Sequence, residues 1–261
     1  MKTLVCVKQV PDTEALLSID PGGKWIAPQD AAAFRMNRFD EFALEEAMRI
    51  KERFSGRIDV SIDSVSVGPA RVRPTLKESL ARGADNGFHI RVEEAGYISP
   101  FDTATLIAAF AEKGGYDLIL TGVMAEDDMA CLVGSLIAEI LGYPCATAVI
   151  SQKIKAEERR IDVEREIEAG CRECLQLDLP AVLTIQSGIN SPRYSSLSNV
   201  MRASRQKIPT ISAEQLAARQ KTEQVSALFY PEKRSGGKIL EGTPREKAQV
   251  LLRELHGKAL I

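Results

Sequence analysis

The densest candidate chemistry lies in one stretch, Gly122-Val123-Met124-Ala125-Glu126-Asp127-Asp128-Met129-Ala130-Cys131-Leu132-Val133-Gly134. It follows an apolar run, Asp117 to Leu120, and opens a helical pattern. A helix N-terminus offers free backbone N–H groups and a partial positive charge, which suits a phosphate. Glu126, Asp127 and Asp128 read either as caps of that helix or as acceptors for a ribose hydroxyl. A second candidate is Ser191-Pro192-Arg193-Tyr194-Ser195-Ser196-Leu197-Ser198-Asn199-Val200-Met201, ahead of the basic stretch Arg202 to Lys207. One reading is a docking loop with an apolar anchor. The other is a plain strand-to-helix connection with Leu197 in the core. Other chemistry finds less support. There is no G-x-x-x-x-G-K-[ST] and no G-x-G-x-x-G, the usual phosphate signatures. Only His89 and His256 are present, and no Ser-His-Asp set stands out. Glu45-Glu46 and Glu157-Glu158 read as solvated faces. Cys171-Arg172-Glu173-Cys174 has the spacing of a redox pair or half a metal site. A structural zinc site needs four ligands, so chance spacing in a strand is preferred. Five cysteines, an odd number, argue against a disulfide framework.

The elements that must hold these residues follow from composition and pattern. The 261 residues are 44% hydrophobic and 27% charged, enough for one large α/β domain or two smaller ones. A net charge of −2 gives no general attraction to nucleic acid or anionic membrane. No apolar run reaches the roughly 18 residues that span a bilayer. The N-terminus is too quickly polar for a signal peptide. These features predict a cytoplasmic or organelle-matrix protein without membrane insertion.

Strand and helix signals alternate through the first half. Thr3 to Lys8 reads as a strand, and residues 18–20 with 24–26 as a small hairpin. Asp40 to Phe54 is an amphipathic helix capped by Asn37 or Asp40. Ile58 to Val67 is a strand that either bulges at Asp63-Ser64 or starts later. Val72 to Ala81, Asp102 to Lys113 and Leu132 to Leu141 read as helices, Gly87 to Arg91 and Asp117 to Leu120 as strands. The order predicts an α/β fold with a mainly parallel sheet and helices on both faces. Ligands then bind past the carboxyl ends of strands, in the loops after Val7, Val67 and Leu120. Residues 146–154, 160–166, 171–177 and 181–186 read as successive strands of an antiparallel extension, with a turn at Glu168-Ala169-Gly170. The expected body is 1–208, with a recognition loop at about 185–207. Residues 209–261 read as an arm reaching a partner, ending in a helix capped by Thr243 with Pro244 at its first position.

Several segments together resemble the electron transfer flavoprotein beta-subunit family. They are Val7-Lys8-Gln9-Val10-Pro11-Asp12, Met36-Asn37-Arg38-Phe39-Asp40-Glu41, Ala43-Leu44-Glu45-Glu46-Ala47, Gly68-Pro69 and Gly83-Ala84-Asp85. Asp117-Leu118-Ile119-Leu120-Thr121-Gly122, Val163 to Glu168, Leu179-Pro180-Ala181-Val182 and Pro192 to Met201 continue the series in order. The resemblance implies an adenine-nucleotide-binding α/β domain in a heterodimer. Its alpha subunit holds the redox-active FAD near the interface. The beta subunit binds AMP, or a second FAD in electron-bifurcating forms. By the same resemblance Cys6, Asn37, Arg38, Phe39, Asp40, Val67 and Gly122 through Val133 form the nucleotide site. Leu197, with Arg193 and Tyr194, docks on acyl-CoA dehydrogenases or related flavin dehydrogenases. Glu166 is an interface acid that influences movement of the flavin domain. Where the family carries polar residues, this chain has Cys131, Leu132 and Val133, so phosphate contacts there fall to backbone N–H groups.

The leading expectation is thus an electron-carrier subunit for fatty acid oxidation, without bond-making chemistry of its own; the flavin does the redox work. The alternatives are an ATP-dependent enzyme of similar architecture and a small stress-type binding domain. The first lacks a glycine-rich pyrophosphate loop. The second is too short to account for the long second half.

Overall fold

The computed structural model describes residues 1–12, 14–15, 17–27, 34–92, 97–216, 223–231 and 236–260. The first half runs β1 (Lys2–Cys6), β2 (Gln9–Pro11), β3 (Phe34–Met36), α1 (Arg38–Arg53), β4 (Ser61–Gly68), α2 (Arg73–Arg82), β5 (Asn86–Arg91), α3 (Pro100–Gly114), β6 (Leu118–Gly122) and α4 (Val133–Leu141). Then come β7 (Cys145–Lys155), β8 (Arg160–Glu166), β9 (Arg172–Asp178), β10 (Ala181–Ile185), α5 (Leu197–Arg205), β11 (Thr210–Ser212), α6 (Ala213–Leu216) and α7 (Pro244–Gly257). The main sheet has the order β11-β5-β4-β1-β6-β10-β7-β8-β9, and β2 pairs with β3 separately.

This is the expected α/β fold, a large, mostly parallel sheet between two helical layers. Strand alternation divides its core. Val5, Leu118, Leu120 and Leu183 face α1, α2 and α5 through Ala43, Leu44, Ile50, Leu76 and Ala203. Leu4, Ile119 and Val182 face α3 and α4 through Ala104, Ile107 and Ile137. Successive residues of a strand point to opposite faces, so each central strand feeds both layers. Ser99 caps α3 by accepting the Asp102 N–H at 3.0 Å. Ile19 and Ile26 bridge across the expected small hairpin.

Three expectations need correction. First, β10 is not part of an antiparallel extension. It lies between β6 and β7 and is parallel to both. All five of its residues are buried, and such an unbroken apolar run belongs to an interior parallel strand. Within the main sheet only β7–β8 and β8–β9 pair antiparallel. Second, Thr210 to Ser212 joins the sheet edge against β5, so the chain beyond 208 does not leave the body at once. Its compact units are Met1–Leu228 and Phe229–Ile261. In the second, α7 opens with a full capping box between Thr243 and Glu246, with Pro244 in its first turn.

Third, Glu45 and Glu46 are not a solvated face. They are 6% and 4% exposed. Glu46 accepts from Gln152 Nε2 at 2.7 Å and Asn190 Nδ2 at 2.9 Å. Glu45 accepts from Arg193 Nε at 2.7 Å. Buried carboxylates persist when they are hydrogen-bonded, and these partners lie more than a hundred residues further along the chain. Glu46→Ala removes the acceptor of Gln152 and one of the two acceptors of Asn190, which also donates to Phe42 O at 3.0 Å; the expected loss in unfolding free energy by urea titration is about 2–4 kcal/mol. A loss indistinguishable from zero would mean that water replaces the carboxylate at no cost.

Candidate functional site

The loops after Val7, Val67 and Leu120 do converge. They line a cavity of about 520 Å³ beyond the carboxyl ends of β1, β4 and β6. From β1 the chain steps one way to β4 and the other way to β6. That is a topological switch point, where open α/β sheets place ligands.

One carboxylate organises this corner. Asp40 accepts the Lys8 N–H at 2.7 Å and the Gly122 N–H at 3.0 Å. It thereby ties the chain leaving β1 and the end of β6 to the first turn of α1. Burial pushes its pKa up to about 7, against the Lys8 and Gly122 amides, Asn37 and the Lys8 charge, which pull it down. Glycine is required at 122. A Cβ there would sit 2.5 Å from Asp40 Oδ1 and 2.7 Å from Phe39 Cβ.

Asn37 occupies the N-cap position of α1 without a capping bond from its side chain. Instead its amide braces the next loop: Nδ2 donates to Met124 O at 2.9 Å, and Oδ1 accepts the Glu126 N–H at 3.1 Å. The acids of that loop do not cap α4. Glu126 accepts the Arg38 N–H at 3.1 Å and Arg35 Nη2 at 3.0 Å, so it caps α1, far away in sequence. Asp127 and Asp128 bind Lys8 Nζ at 2.7 and 2.9 Å. The N-cap residue of α4, Leu132, makes no side-chain cap, and among the described residues the first N–H groups of α4 are left for something else. Two residues on the approach, Met129 and Cys131, have φ of +51° and +56°, strain that concentrates at functional loops. Gly134 lets α4 approach the sheet closely, since a Cβ would meet Thr184 Cγ2 at 2.4 Å.

Most of the expected nucleotide residues line the cavity: Cys6, Asn37, Asp40, Val67, Gly122 to Asp128 and Ala130 to Val133. Arg38, Phe39 and Met129 do not. Arg38 is exposed, Phe39 packs behind Gly122, and Met129 is 66% exposed. The sequence reading missed the opposite wall, which includes Trp25, Tyr97, Leu17, Arg71 and Leu228. Trp25 and Tyr97 are tilted against each other with centroids 5.8 Å apart. Arg71 lies over the Phe34 ring at 4.2 Å and donates to Gln9 Oε1 at 2.7 Å. Trp25 is the only tryptophan and sits in the hairpin, the one signal that could have found this wall. A cavity lined by aromatic rings, an arginine and an uncapped helix N-terminus fits a ligand with a flat ring and a phosphate. The volume lies in the range of small-molecule sites.

The second candidate segment reaches the surface. Tyr194 is 98% and Leu197 77% exposed, and Val200 and Met201 are half exposed beside them. Leu197 is therefore not a core residue. Arg193 points back instead: it pairs with Glu45 at 2.7 Å and Glu52 at 2.5 Å, both on α1. Glu166 ends β8 and accepts from Gln186 Nε2 at 3.2 Å. Cys171 and Cys174 are free thiols, and among the described residues no group of His, Cys, Asp and Glu could hold a metal ion.

The sequence model of the electron transfer flavoprotein domain matches residues 25–216. The chain is 36% identical to electron transfer flavoprotein subunit beta of Bos taurus over 243 residues, 92% of each chain. Identity to the same subunit is 33% in Methylophilus methylotrophus, covering 97% of each chain, and 30% in Bacillus subtilis, covering all of both. This chain belongs to the electron transfer flavoprotein beta-subunit family.

Membership makes it a subunit of an electron transfer flavoprotein, with electron transport as its class of work. Among the described residues no helix is long and apolar enough to cross a membrane. The role of Asp40 is also testable by pH. An unfolded aspartate titrates near 3.9, and folded Asp40 near 7. Its stabilising contribution is complete below about pH 4 and is lost as pH rises through 7. Urea titrations from pH 4.5 to 8 are expected to show stability falling with pH more steeply in the parent than in Asp40→Asn. Parallel profiles would place the ionisation elsewhere.

Proposed function

We propose that this chain is one half of a two-chain electron carrier and binds AMP in the cavity at the switch point. An alpha subunit completes the carrier and holds FAD near the interface. FAD, when bound, supplies the redox chemistry. This chain supplies the nucleotide site, the docking face and the charges around them. The observation that carries the reading is the uncapped N-terminus of α4 at the wall of a cavity whose other side is aromatic. In this reading the first N–H groups of α4 take the phosphate, and Asp40 and Asn37 shape the loop rather than touch the ligand. Cys6 and Cys145 are poor nucleophiles, because burial raises both thiol pKa values. No bond-making step is assigned to the chain.

The exposed Leu197, with Tyr194, Val200 and Met201 around it, forms the docking face for a flavin dehydrogenase of the acyl-CoA dehydrogenase type. Glu166 is an interface acid, and residues 229–261 pack on the alpha subunit. The setting is cytoplasmic fatty acid oxidation.

Two measurements test this. Co-expression with the alpha subunit, denaturation and chromatography of the extract are expected to yield AMP and FAD in equal amounts. FAD at twice the protein with no AMP supports the form with a second flavin, and FAD alone at one per complex removes the nucleotide from this subunit. Leu197→Ala is expected to slow reduction by the dehydrogenase at least about tenfold, a hot-spot effect, with flavin content unchanged. Rates equal to the parent would remove the docking face.

A further inference from the structure

Helices α2 and α5 end beside each other, and each ends on a cation supplied by the other. Lys77 of α2 donates from Nζ to Ala203 O at 2.7 Å and Ser204 O at 3.0 Å, and also to Gln206 O. Arg202 of α5 donates from Nη2 to Leu80 O at 2.8 Å, in the last turn of α2. The last carbonyls of a helix have no intrahelical partner and carry a partial negative charge. Two such ends side by side repel unless cations lie between them, and here the cations are exchanged.

The arrangement matters because α5 has little else to hold it. It is nine residues long, and Ala203 is its one buried residue. A free helix of that length is marginal in water. Its entry is secured by Arg193 on Glu45 and Glu52 and by Ser196, which accepts the Asn199 N–H at 3.2 Å. Its exit is secured by Lys77. Between the two fastenings Leu197, Val200 and Met201 face solvent.

We infer that Lys77, far from the docking face in sequence and not part of it, is a positioning residue for electron transfer. It holds α5 ordered before the dehydrogenase arrives. The inference rests on the docking reading of Leu197. Without Lys77, ordering the helix becomes a cost of association, which weakens binding without altering the transfer step.

The test uses the co-expressed two-chain complex carrying Lys77→Met, Lys77→Arg, Arg202→Met or Leu197→Ala. Amide hydrogen exchange over residues 197–206 is measured, along with KM and kcat for the complex in reduction by an acyl-CoA dehydrogenase. Lys77→Met is expected to speed exchange and raise KM, each about tenfold for a lost charged hydrogen-bond set, with kcat and flavin content unchanged. Lys77→Arg restores both. Arg202→Met, at an exposed position, repeats the pattern more weakly and guards against a folding defect at Lys77. Unchanged exchange in Lys77→Met overturns the inference. Faster exchange with unchanged KM, while Leu197→Ala still raises KM, also overturns it and leaves the docking reading intact. If Leu197→Ala leaves KM unchanged, the docking reading falls, and the positioning role falls with it.

Discussion

The corner around the cavity depends on a buried carboxylate accepting two backbone N–H groups that are neighbours in space and 114 positions apart in sequence, from Lys8 just past β1 and Gly122 at the end of β6. Asp40 makes β1, β6 and α1 meet at a fixed geometry. Its neighbour Asn37 extends the same bracing to Met124 and Glu126, and Glu126 returns it by capping α1. Each backbone group tied in this way is one that does not need the ligand. Among the described residues the start of α4 is left without a side-chain cap. The corner thus leaves hydrogen-bonding capacity at a helix N-terminus, a position suited to an anion.

Much of this architecture was legible in the chain. The apolar face of α1, the helix at α3, the strands β8 and β9, the turn at 168–170 and the cap at Thr243 are local patterns, and local physics decides them. The ligand loops were legible because β-α alternation implies parallel strands, which bring their carboxyl ends to one edge of the sheet. The placement of β10 was not. A strand reached by a short connection looks like the next antiparallel neighbour, and only its burial on both faces sets it between β6 and β7.

Within the site, the limit of local reading is clearest for the acids. Glu126 looked like a cap for the helix that follows and caps the one 88 residues earlier. Glu45 and Glu46 looked solvated because their partners Arg193, Gln152 and Asn190 are remote. Arg193, expected to face a partner, spends its guanidinium inside the chain. A charge on a helix is solvated by default, and only a distant donor brought in by the fold reverses that. The aromatic wall of Trp25 and Tyr97 was missed for the same reason, since the two rings meet only through tertiary packing.

Helix α1 also serves as a ruler. Asp40 on its first turn arranges the cavity, and Glu52 near its last holds the segment leading to Leu197. At 1.5 Å per residue the two acids stand roughly 18 Å apart along the axis. One residue inserted between them would rotate Glu52 by about 100° relative to Asp40 and swing it away from Arg193. The helix therefore tolerates length changes only in the loops that flank it, and the separation between the cavity and the exposed Leu197 surface is set as a count of residues.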